Sequence, residues 1–61
     1  MLDDANTRKI TNARNDARTA ARELQSALEA STDADIAYHV AQAISRCEFA
    51  LTALRATQKA A

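Results

Sequence analysis

The chain contains no glycine and no proline. Without glycine there is no low-cost route to positive φ, which argues against tight hairpin turns and phosphate-cradling loops. Without proline nothing breaks a helix from inside. One tyrosine and one phenylalanine are the only aromatic residues. Together with the sparse β-branched residues they are too few to build a sheet. The lone cysteine, Cys47, cannot form an internal disulfide, so a reducing compartment such as the cytoplasm is expected. Neither sign of charge prevails: eight Lys and Arg stand against eight Asp and Glu. A global basic field for gripping nucleic acid is therefore missing. No apolar run approaches the ~20 residues of a membrane span. The opening Met1-Leu2-Asp3-Asp4 is acidic and lacks an apolar core, so it does not read as a secretory signal.

What is present points one way. Sixteen of the 61 residues are Ala, the best helix former. An all-α chain follows, and its length allows one domain at most. The expected architecture is a two-helix antiparallel hairpin over residues 1–61. Helix 1 spans about 4–29, the turn about 30–33, and helix 2 about 33–57.

The hairpin reading rests on register. Seven apolar pairs have residue numbers adding to 64: Ile10/Leu54, Ala13/Leu51, Ala17/Cys47, Ala20/Ile44, Leu24/Val40, Ala27/Ala37 and Leu28/Ile36. A constant sum is what a chain folded back at Thr32 requires. On helix 1, positions 10, 13, 17, 20, 24 and 27 keep a 3-4 spacing, widened by Ala21 and Leu28. On helix 2, positions 37, 40, 44, 47, 51 and 54 do the same, widened by Ile36, Ala43 and Ala50. This pattern predicts small residues of helix 1 against larger ones of helix 2, with Cys47 in the core as a small hydrophobe. Asp3 or Asp4 is the expected cap of helix 1. Thr32 is the expected cap of helix 2, with Asp33 and Asp35 in its first turn.

Thirteen apolar residues larger than Ala are few for a chain of this size, and a lone hairpin buries one stripe per helix. The shortfall in burial favours a homo-oligomer, a dimer or higher, assembled as a helical bundle. In layout and length the hairpin resembles the small helical-hairpin proteins that dimerise into four-helix bundles, such as the plasmid RNA-binding copy-number regulators. That resemblance implies a dimer and transfers no functional residue. One pattern runs against it. The widening residues of helix 1 (Ala21, Leu28) and of helix 2 (Ile36, Ala43, Ala50) flank opposite edges of the expected seam, whereas a standard dimer widens both on one side.

Two surface features are candidates for function. Tyr38 and Phe49 are eleven residues apart, which aligns them within about 20° on helix 2. Ala53 and Ala56 share that side. The group reads as a protein contact, because aromatic residues are favoured interface anchors; the alternative is a pair of ordinary exposed side chains. The second feature is a basic ladder, Arg14, Arg18 and Arg22, preceded by Arg8 and Lys9. Like charges at i, i+4 repel weakly, so the ladder wants an acidic neighbour. It is either a solvated face, a contact for an acidic partner, or a phosphate-contacting set. Arg14 is expected to pair with Glu48 across the helices, and His39 with Asp35.

An enzyme is not expected. One His, one Cys and no Gly supply no nucleophile–base–orienter set, and a bare hairpin is expected to lack a pocket of ligand size. No cofactor is called for, and the residues offer no metal site, which needs three or four ligands. The function expected is a protein–protein interaction module, a self-associating hairpin that acts as a regulator or adaptor by binding another macromolecule. The alternatives are an RNA- or DNA-binding regulator using the Arg ladder, and a subunit of a hetero-complex (a co-chaperone or inhibitor) that folds fully only with its partner. No membrane partner is expected.

Overall fold

A computed structural model describes residues 4–60 and shows two helices, α1 (Asp4–Glu29) and α2 (Asp33–Ala60), packed side by side. Helix α1 has the expected bounds, and α2 runs one turn-fraction further than expected. The cap assigned to Asp3 lies outside the described residues. Asp4 stands in the first turn of α1, and Asp33 and Asp35 in that of α2, where carboxylates oppose the positive helix end. Lys59 stands in the last turn of α2, the complementary position for a cation.

The connection is three residues, Ala30 to Thr32. Thr32 caps α2 as its sequence position predicts. The Asp35 amide donates to Thr32 Oγ1 at 3.1 Å, and the Ile36 amide donates to the Thr32 carbonyl at 3.0 Å. Helix α1 ends on a short bond from the Ala30 amide to the Ala27 carbonyl, 3.3 Å. No described residue has positive φ, so the turn closes without the conformation that glycine would supply.

The packing corrects the expected core. The buried residues are Ala13, Ala20 and Ala27 from α1 and Ala43, Ala50 and Thr57 from α2. Each set repeats every seven residues, the interval that keeps side chains on one line of contact. In a hairpin of two helices both buried lines lie where the helices meet. Small residues therefore meet small ones, and the expected small-against-large layers do not form. The physical reason is distance. Two helices approach closest where both present methyl groups, toward the short end of the ~8–10 Å range of axis separations. Larger side chains at the contact line would hold the axes apart.

Thr57 enters this seam without cost to its hydroxyl. Its Oγ1 donates to the Leu54 carbonyl at 2.8 Å, which leaves its methyl group to pack. Cys47, expected in the core, is exposed. Ala37, Ile44 and Leu51, also assigned to the core stripe, are exposed as well. Every Ile, Leu, Phe and Tyr among the described residues is at least 38% exposed.

Candidate interaction site

The two edges of the alanine seam differ in chemistry. On one edge His39 Nδ1–H donates to Glu23 Oε2 at 2.7 Å, and Arg46 reaches Asp16 at 3.7 Å. An ionised carboxylate only accepts, so the imidazole nitrogen is the donor in this contact. These two contacts replace the expected pairs. His39 reaches across to α1 instead of bonding Asp35 on its own helix, and no ion pair joins Arg14 to Glu48 among the described residues. Moving the seam from Ile44 and Leu51 to Ala43 and Ala50 turns α2 about its axis, which brings His39 and Arg46 over α1.

The same rotation gathers the large aliphatic residues on the other edge. Leu24, Ala27 and Leu28 of α1 and Ala30, Ile36 and Val40 beyond it line an open groove of about 560 Å³ at the turn end. A bare hairpin was expected to offer no such concavity. Spacing carries this face along the whole rod. Ile10 and Ala17 precede Leu24 at intervals of seven, and Cys47 and Leu54 follow Val40 at the same interval. Ile44 and Leu51 lie beside that line. Five residues on these lines are larger than Ala (Ile10, Leu24, Val40, Cys47 and Leu54), and all but Val40 are exposed.

This arrangement also changes which residues widen the seam. Ala43 and Ala50 do not widen an edge; they are the seam. Leu28 of α1 and Ile36 of α2, two of the other widening residues, line one groove.

Tyr38 and Phe49 lie on the polar-edge side of α2, 60% and 59% exposed. The Tyr38 ring meets the His39 ring edge-on, with centroids 5.2 Å apart. Ala53 is half-buried beside that edge, and Ala56 lines a shallow depression of about 350 Å³ with Thr52, Arg55 and Lys59. The four residues thus share a side of α2 but do not form one pocket. Arg8, Lys9, Arg14, Arg18 and Arg22 are exposed and make no ion pair among the described residues. Asp16, the one acid within the ladder, is engaged by Arg46.

No group of three or more His, Cys, Asp or Glu that could hold a metal occurs among the described residues, and no described helix is long and apolar enough to cross a membrane. Sequence reasoning missed the apolar face as a site because it assigned the same residues to the core. The signal that could have found it is the alanine heptad itself, Ala13-Ala20-Ala27 and Ala43-Ala50, which marks the line of closest approach. Comparison with protein-family models, with curated proteins and with solved structures finds no match.

Proposed function

We propose that this chain is a non-enzymatic interaction module: a helical hairpin that self-associates through its apolar face and acts as a regulator or adaptor by binding another macromolecule. The observation that carries the reading is the apolar face itself. Leu24, Leu28, Ile36, Ile44, Leu51 and Leu54 are all at least 38% exposed on a chain whose own core is alanine. Contiguous apolar surface of this kind marks an interface. Association through it leaves Tyr38 and Phe49 on the outside, where they are available to anchor a different protein. Cys47 stays reduced in this reading, in the cytoplasm.

Size exclusion with light scattering, coupled to circular dichroism across a dilution series, tests the proposal. A helical species heavier than one chain, losing mass on dilution, is the expected result. A monomer with little helix overturns it and favours a subunit of a hetero-complex, whose missing burial comes from a partner.

A second reading is nucleic-acid binding by the Arg ladder. Arg14, Arg18 and Arg22 lack ion-pair partners among the described residues, while Arg46 has one. Phosphate contacts would give a log affinity that falls linearly with log salt. Absence of binding to duplex RNA or DNA at ~50 mM salt rejects it.

A further inference from the structure

Given self-association through the apolar face, the reading on which this step rests, we infer that the partner is a second copy stacked antiparallel, its turn over the open end of the first. Two hairpins related by a twofold axis and stacked face to face have two choices: turns at the same end or turns at opposite ends. Three observations bear on the occupant and on that choice.

The first is area. The chain exposes 4724 Å². A folded monomer of its 6.6 kDa mass exposes about 3,900 Å². The excess, roughly 800 Å², matches what one partner contributes to a standard protein interface. A second copy, presenting the same face, covers that excess on both chains at once.

The second is shape. The apolar groove lies at the turn end, between Leu24 and Leu28 on α1 and Ile36 and Val40 on α2. The open end of the same face carries Ile10 and Leu54. Antiparallel stacking sets Ile10 and Leu54 of one copy over the groove of the other. Stacking with turns together sets groove against groove and leaves it unfilled, at a cost in lost contacts.

The third is charge. Glu23, Glu29, Asp33 and Asp35 lie at the turn end, and no Lys or Arg occurs from residue 23 to residue 39. The open end carries Arg8, Lys9, Arg55 and Lys59 against Asp3 and Asp4 in sequence, a net of +2 where the turn end has −4. Antiparallel stacking brings acidic turn to basic end twice over. Stacking with turns together crowds eight carboxylates at one end and the cations at the other, and like charges so placed disfavour that partner. Arg18 and Arg22 lie on the side of α1 away from the seam and do not discriminate.

The test places one spin label per chain at the turn, Ser31→Cys in a Cys47→Ala background, and measures the label-to-label distance and the mass on the same sample. A dimer whose labels stand apart by about the 46 Å length of the hairpin is the expected result. A dimer whose labels lie within about 20 Å, two helix spacings, overturns the orientation and leaves self-association standing. A monomer overturns both. Glu29→Lys supplies a second readout. Antiparallel stacking predicts that it weakens association roughly threefold at low salt, and turns-together stacking predicts that it strengthens association.

Discussion

His39 Nδ1 lies 2.7 Å from Glu23 Oε2, a contact between helices that joins residues sixteen apart in the chain. Each side chain is 28% exposed. With Arg46 and Asp16 it defines the polar edge of the hairpin, and so assigns the apolar residues to the other edge. Glu23→Gln and His39→Ala should each lower stability by about 0.5–1 kcal/mol, the range for a partly solvated bond. Urea unfolding followed by circular dichroism reads that loss. The mass of the assembly should not change, because the pair lies away from the apolar face.

The alanine seam has little tolerance for size. Ala20 is 3% exposed and Ala43 of the facing helix 4% exposed. Ala20→Leu should separate the helix axes and destabilise by ~1–3 kcal/mol. Ala21→Leu, one position along and exposed, serves as the control and should be tolerated. Thermal unfolding of the two variants side by side checks the contrast.

Charge on the apolar face should dissolve the assembly. Leu24→Asp with Leu51→Asp replaces two residues that are 47% and 48% exposed. Neither supports the alanine seam, so the expected outcome is loss of mass by light scattering. Tyr38→Ala with Phe49→Ala should leave mass and helicity alone and instead abolish capture of the second partner. An unchanged mass in the aspartate variant would count against the assignment of the face.

The thiol of Cys47 reports on the same surface. It is exposed in the hairpin and stands between Val40 and Leu54 on the apolar side of α2. Association should shield it. Its labelling rate with a disulfide reagent should fall on the order of tenfold as concentration rises through the assembly range.

Much of this fold was legible in the sequence because its causes are local. Sixteen alanines, the absence of glycine and proline, and the Thr32 cap with its two aspartates determine two helices and a three-residue turn at 30–32. The register was legible only approximately: the expected pairs add to 64, whereas His39–Glu23 and Arg46–Asp16 add to 62. The face that closes the hairpin is different. On α2, Ala43 and Ile44 are neighbours about 100° apart on the helix, and the apolar pattern is compatible with either as the inner line. The hydrophobic reading chooses Ile44, because it maximises buried area within one chain.

Only the tertiary structure decided for Ala43. That choice depends on how closely two backbones approach, which is a property of both helices together and not of either sequence segment. Once the methyl groups of Ala13, Ala20, Ala43 and Ala50 set the spacing, Ile44, Cys47 and Leu51 are turned outward and His39 is carried to Glu23. The sequence by itself therefore determined that this protein is a hairpin and where it bends. Packing determined which residues it hides and which it offers, because the closest helix contact excludes the large side chains that burial alone would favour.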